Sequence, residues 1–234
     1  MVVGSFVNVC ADRIPVGEDI VKTPSHCPRC NRRLTARELV PVLSWLFLRG
    51  RCRGCGTKIP AQYPLMELAN ATLWALCAWR LETIPLIAVG CLATSVLLLI
   101  AVIDAKTGEI PFGCNIALAV AGAANVFVSG NIPEHVLGAF AASVPMLLVY
   151  LLSKGRAIGG GDVKFLCAAG LLLGWKSVIL GFVTACVLGS VVHLARMKLG
   201  GAGRVLRLGP YLAAGAALAL LFGDAAIAWY ISLF

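Results

Sequence analysis

The sequence predicts an all-α fold: a polytopic transmembrane bundle of about eight helices with a small cytoplasmic zinc-binding insert. Three observations predict it. Apolar residues make up 59% of the 234 and charged residues only 13%, whereas an average soluble domain carries about 25% charged residues. The mean hydropathy is +0.89. Several stretches approach the roughly 20 apolar residues that span a bilayer.

Taken in order, residues 1–10 read as a partial first transmembrane helix. They carry no basic n-region and no small-residue cleavage site, so they are not a signal peptide. Residues 11–60 are the one sizeable polar region, rich in charge, Pro and Cys, and too short to bury much core alone. Residues 61–234 read as a transmembrane domain, with clear spans at 63–79, 84–103, 112–128, 135–152, 178–195 and 208–222. The shorter stretches 163–174 and 225–234 cross only with help from neighbours. No repeat of fixed period and no low-complexity tract is visible.

The formal charge of +9 is a topology signal. Threading the spans in order puts 12–60, 104–111, 153–162 and 196–207 on one side. With Lys164 counted there, that side holds 18 of the 20 Lys and Arg residues, and only Arg80 and Lys176 fall opposite. The positive-inside rule makes the crowded side cytoplasmic. The expected partner of this charge is anionic membrane lipid and not nucleic acid.

Four of the ten cysteines lie in the polar region as C-P-R-C (Cys27, Cys30) and C-R-G-C (Cys52, Cys55), with 21 residues between the pairs. Two such knuckles match a four-thiolate zinc site. Gly54 and Gly56 suit the tight turn that aims both sulfurs at one ion. A structural metal also stabilises an insert that lacks its own core. Two disulfides or a redox pair are the alternatives, and a cytoplasmic location disfavours disulfides. His26 is expected to be a bystander. Cys10, Cys77, Cys91, Cys114, Cys167 and Cys186 sit singly in or beside apolar runs and read as small hydrophobes.

Carboxylates at membrane segments usually have a task. Asp104 closes the run L-L-L-I-A-V-I-D, and Asp162 stands between G-G-G and V-K-F-L-C-A-A-G. Both emerge on the predicted cytoplasmic side. Two neighbouring carboxyls at low dielectric share a proton, so that one activates water while the other polarises a carbonyl. Capping helix ends or lining an ion pathway are the alternative uses. Gly159 and Gly161 let backbone approach closely and permit dihedrals closed to other residues. Lys164 either biases the pair electrostatically or meets a lipid phosphate.

In this order the motifs resemble the type IV prepilin peptidase family. They are G-S-F-V-N-V-C-A-D-R-I-P at 4–15, both cysteine pairs, F-L-R-G-R-C-R-G-C at 47–55, Y-P-L-M-E at 63–67, I-D-A-K-T-G-E-I-P at 103–111, G-G-G-D-V-K at 159–164 and L-G-P-Y-L-A-A-G at 208–215. The resemblance implies a GxGD-type intramembrane aspartic protease of a bacterial cytoplasmic membrane, with its active site facing the cytoplasm. Such enzymes cut the basic leader from prepilin, pseudopilin or competence-pilin precursors. Asp104 and Asp162 fall on the family's catalytic positions. The four-cysteine insert further implies N-methylation of the new terminal residue with S-adenosylmethionine. Two departures stand out: only three residues precede G-S-F, where the family has a full helix, and Phe112 follows I-P where the family often has a polar residue.

For the second activity the residues are less specific. Glu67 either orients a substrate amine or pairs with an arginine of the insert. Asn8 and Arg13 either line a groove or serve as a helix-end hydrogen bond and a charge anchor. No G-x-G-x-x-G unit is present, so the methyl-donor pocket is expected where the insert meets the membrane helices. Readings from other classes are an ion- or proton-coupled transporter using Asp104 and Asp162, and a non-catalytic zinc-bearing assembly scaffold.

Overall fold

Apolar runs and the residues that cap them set where each helix begins and ends. The structure, a computed structural model, describes residues 1–199 and 206–233. The predicted connection 196–207 and the predicted span 225–234 therefore lie partly outside the described residues. Among the described residues the regular structure is helical, with two isolated β-bridges and no strand, and the stretches 17–35 and 48–61 hold no helix. Its contacts divide it into two compact units, Met1–Ala75 and Leu76–Phe234.

The first unit contains α1 (Val2–Arg13), α2 (Leu43–Phe47) and the start of α3 (Gln62–Arg80). Gly4 lets α1 lie directly on α3, because a Cβ there would stand 2.8 Å from the Glu67 Cα. Asn8 donates to the Tyr63 carbonyl at 3.0 Å, and the Tyr63 hydroxyl donates to Asp12 at 2.7 Å. Buried Arg13 donates to the carbonyls of Asp19, Thr23 and Pro24. It therefore organises the loop leaving α1, and is more than a surface charge anchor.

The second unit holds α4 (Ile84–Thr107), α5 (Phe112–Ser129), α6 (Ile132–Ala141), α7 (Ser143–Leu152), α8 (Gly160–Leu173), α9 (Trp175–Lys198) and α10 (Gly209–Ile231). Five helices are long and apolar enough to cross a bilayer: α4, α5, the continuous α6–α7, α9 and α10. The predicted span 63–79 is present as α3 but is less apolar, because buried Glu67 and Asn70 interrupt it. The predicted span 135–152 is bent between α6 and α7, where Pro145 removes one ladder hydrogen bond.

One prediction is corrected. The predicted separate spans 208–222 and 225–234 are joined, since one helix, α10, runs Gly209–Ile231 and Gly223-Asp224 does not break it. A Cβ on Gly223 would lie 3.2 Å from the Ser177 hydroxyl, so this glycine serves a close contact and no turn. No Lys or Arg follows Arg207, so the charge asymmetry is unaffected.

Helix α8 spans 14 residues, about 21 Å at 1.5 Å per residue, which is short of a bilayer core of about 30 Å. It is packed against α5, α6, α7, α9 and α10. Its residues Phe165, Leu166, Ala168, Ala169, Gly170 and Leu172 are buried. Glycines bring backbones together around it: a Cβ on Gly170 would lie 2.0 Å from the Gly138 carbonyl oxygen. Such small-residue contacts hold helices together where lipid removes the hydrophobic drive. Phe127 and Leu152 are each 85% exposed, an outer surface suited to acyl chains and not to water. The chain is a multi-pass, all-α membrane protein.

Candidate active site

Asp104 occupies the last turn of α4 and is 4% exposed. The helix ends one turn later at Gly108, in left-handed conformation, whose N–H bonds the Asp104 carbonyl at 2.8 Å. The start of α10 at Gly209 lies against the Asp104 carboxyl, and among the described residues Asp104 Oδ2 has no hydrogen-bond partner. Asp162 is the third residue of α8, half-buried, with Oδ2 accepting the Gly159 N–H at 3.3 Å. The charge of Asp104 acts on Asp162. The turn 108–111 lies between them, and the Cβ of Ile110 stands 3.5 Å from where a Gly161 Cβ would be.

The glycines act differently from the expectation. Residues 159–161 hold no left-handed conformation, and Gly159 is extended. What the run provides is clearance. A Cβ on Gly159 would stand 3.2 Å from the Asp162 Oδ2. At Gly160 and Gly161 an added Cβ would meet Tyr150 and Ile110 only at ordinary contact distance, so the clearance belongs to Gly159. Lys164 is exposed and lies 5.2 Å over the Phe112 ring. Among the described residues no ion pair joins it to either aspartate.

Sequence reasoning missed two neighbours of this pair and one buried polar residue of α5. Gly209 opens α10 directly against Asp104, and a Cβ there would fall 2.5 Å from the Asp104 Cγ. Arg207 donates to the Ala105 carbonyl, and its charge acts on Asp104. Asn115 is buried one turn into α5. The motif L-G-P-Y was a usable signal for the first, since Pro210 marks a helix start. The other two carried none.

In the first unit Cys27, Cys30, Cys52 and Cys55 converge, with all four sulfurs within 4.8 Å of one another. Zinc–sulfur bonds of about 2.3 Å at tetrahedral angles require sulfur separations of about 3.8 Å. Cys27 and Cys55 lie 3.8 Å apart. The two knuckles share one backbone design. The N–H of Cys27 bonds Arg32 and that of Cys52 bonds Thr57, while Asn31 and Gly56 return to the first cysteine of each knuckle. Asn31 and Gly56 both take positive φ. Gly54 does not, but a Cβ there would crowd Arg32 at 3.0 Å. Thr57, through its side chain and then its backbone, holds the Cys55 thiol down at about 6, which favours the metal-binding thiolate. His26 lies outside the cluster, with Nδ1 at 3.2 Å from the Pro24 carbonyl. These residues fit a structural zinc ion.

A cavity of about 550 Å³ lies within the first unit, lined by Asn8, Asp12, Arg13, Trp45, Tyr63 and Glu67 among others. Glu67 accepts the backbone N–H of Val42 at 2.7 Å, and among the described residues it forms no ion pair with an arginine. The volume suits a small organic ligand. Aromatic rings beside carboxylates favour a cationic one.

Comparison with known proteins gives concordant matches. Residues 1–81 match the bacterial peptidase A24 N-terminal domain, and residues 91–194 match the type IV leader peptidase family. The chain is 33% identical over 241 residues to a prepilin leader peptidase/N-methyltransferase of Bacillus subtilis, covering 100% of this chain and 95% of the relative. A protein of the same description from Aeromonas salmonicida is 32% identical over 265 residues, covering 99% and 91%. One from Klebsiella pneumoniae is 38% identical over 188 residues, covering 75% and 82%. No solved structure matches. By these matches the chain is an enzyme of the type IV leader peptidase family.

Proposed function

We propose that this enzyme is a membrane aspartic endopeptidase that removes the leader of type IV prepilin-like precursors at the cytoplasmic face. It then N-methylates the new terminal residue. One observation carries the peptidase reading: two carboxyls stand on different helices, Asp104 at the end of α4 that leads into the 108–111 turn and Asp162 at the start of α8, against which Ile110 of that turn packs. Like charges at low dielectric favour a shared proton. The ionised carboxyl takes a proton from water, whose oxygen attacks the scissile carbonyl carbon. The protonated partner donates to the carbonyl oxygen, and collapse breaks the C–N bond as a proton passes to the leaving nitrogen. Gly159 leaves room beside the Asp162 carboxyl, and Gly209 leaves room beside that of Asp104.

The methyltransfer reading rests on the cavity of the first unit. When bound there, S-adenosylmethionine supplies an electrophilic methyl group. Trp45 and Tyr63 provide ring faces for a sulfonium, and Asp12 and Glu67 provide negative charge. The insert 11–60 is read as a zinc-held domain in which Cys27, Cys30, Cys52 and Cys55 bind a structural ion beside this cavity. The Lys and Arg asymmetry supports an inner-membrane enzyme whose insert and aspartates face the cytoplasm.

Co-expression with a prepilin, followed by mass spectrometry of the product's N-terminus, tests both readings. The parent yields a cleaved, methylated product. Asp104→Asn and Asp162→Asn each lower cleavage by about 10²–10⁴-fold or more. Normal leader removal by both variants overturns the peptidase reading. A cleaved but unmethylated parent product overturns the methyltransfer reading alone.

A further inference from the structure

Helix α5 carries a buried polar side chain that nothing among the described residues satisfies. Asn115 is 5% exposed, and neither its Oδ1 nor its Nδ2 meets a protein partner. An unpaired amide inside a membrane bundle is costly and marks a task. Asn125 on the same helix shows the ordinary arrangement, with Nδ2 donating to the Leu172 carbonyl at 2.8 Å.

Helix geometry gives the direction in which Asn115 faces. Asn115 and Gly122 are seven residues apart and share one stripe of α5. Gly122 abuts α8, since a Cβ there would lie 2.9 Å from the Leu172 nitrogen. Toward the start of both helices, Lys164 sits over Phe112. The two helices thus run side by side, with residue 112 level with 164 and residue 122 level with 171–172. Asn115 then falls level with about residue 166, roughly 6 Å deeper along the axis than Asp162 at 1.5 Å per residue. Extended peptide advances about 3.3 Å per residue, so this depth corresponds to about two residues of bound substrate.

We infer that Asn115 is a substrate-positioning residue whose amide hydrogen-bonds the precursor's backbone about two residues from the scissile bond, on the side that continues into the membrane. The inference rests on the peptidase reading above. An asparagine side chain offers one acceptor and two donors, the complement of a peptide group's C=O and N–H. A substrate unwound for cleavage loses its internal partners for those groups, and lipid supplies none. Asn115 restores a pair at the depth where they are lost.

Steady-state cleavage of a purified prepilin by full-length enzyme in lipid nanodiscs, with Asn115→Leu and Asn115→Gln variants, tests this. Asn115→Leu is expected to lower kcat/KM by about 10- to 100-fold, chiefly through KM. Its thermal midpoint stays level or rises, since an unsatisfied amide has been exchanged for an apolar group. Asn115→Gln recovers part of the loss. The inference is overturned if Asn115→Leu cleaves like the parent or if the loss is confined to kcat. It is also overturned if activity falls together with the midpoint and Gln recovers nothing. Failure of the parent to cleave removes the peptidase reading itself, and the parent alone reveals it.

Discussion

At the scale of single residues, the carboxyls and the side chains around them were unequally visible in sequence. Asp104 and Asp162 stood out because charge is rare in apolar runs, so two positions drew attention at once. Gly209 did not, because its importance comes from a neighbour 105 residues away in the chain. A Cβ at 209 would lie between 2.5 and 2.8 Å from three atoms of Asp104. Gly209→Ala must therefore displace either the carboxyl or the start of α10. A misplacement of about 1 Å at a reacting group costs on the order of 10²-fold in rate. We expect Gly209→Ala to lower cleavage by at least that factor while the protein still inserts and folds, as read by prepilin processing beside a thermal-melt control. Parent-like processing would show that the carboxyl has room to move. Pro210 in L-G-P-Y marked the helix start at Gly209 but not its contact, and Arg207 and Asn115 had no local pattern at all.

At the scale of elements, the cysteine knuckles were legible because metal ligation imposes a local spacing, and the four sulfurs converge as that spacing demands. The scaffold between the knuckles was not legible. Trp45 donates to the Ile59 carbonyl at 3.1 Å and leaves Gly50 no room for a side chain, with a Cβ there only 2.9 Å from the ring. These contacts join α2 to the second knuckle, yet they leave no periodic trace. Structural zinc contributes about 10–16 kcal/mol in comparable small domains, far more than a short insert gains from burial. Cys27→Ser or Cys52→Ser should therefore release the metal and loosen the insert, abolishing methylation while leaving cleavage within about tenfold of the parent. Metal analysis and product mass spectrometry check this together, and equal loss of both activities would contradict it. The continuity of α10 was misread because Gly-Asp resembles a stop signal. In the structure that glycine faces Ser177 across a helix contact.

At the scale of the whole molecule, membrane architecture was the most legible feature, because span length and charge asymmetry are read from sequence directly. Interruptions were harder to see. The bend at Pro145 and the polar interior of α3 depend on neighbours that satisfy what the sequence leaves open. The proposed orientation has a direct check. Single cysteines in a background lacking exposed native ones, at Arg37 or Lys154 on one side and Lys176 on the other, should react oppositely with an impermeant maleimide applied from the periplasm. Lys176→Cys is labelled in intact cells, while Arg37→Cys and Lys154→Cys are labelled only after permeabilisation. The reverse pattern inverts the topology and removes the cytoplasmic assignment.

The glycine contact between α6 and α8 has a mechanical consequence. Gly170 is pressed backbone to backbone on Gly138, and Asn125 ties Leu172 from the other flank. Helix α8 is thus held backbone to backbone at its inner end and by ordinary contacts at its outer one, where a Cβ on Gly160 or Gly161 would find its neighbours at 3.5–3.7 Å. Asp162 rides eight residues from Gly170, about 12 Å along the axis. A tilt too small to disturb the backbone contact moves this carboxyl by the ångström that separates a working pair from an idle one. A methyl group at Gly160 or Gly161 would make only ordinary contacts, whereas one at Gly170 would unseat the helix from Gly138.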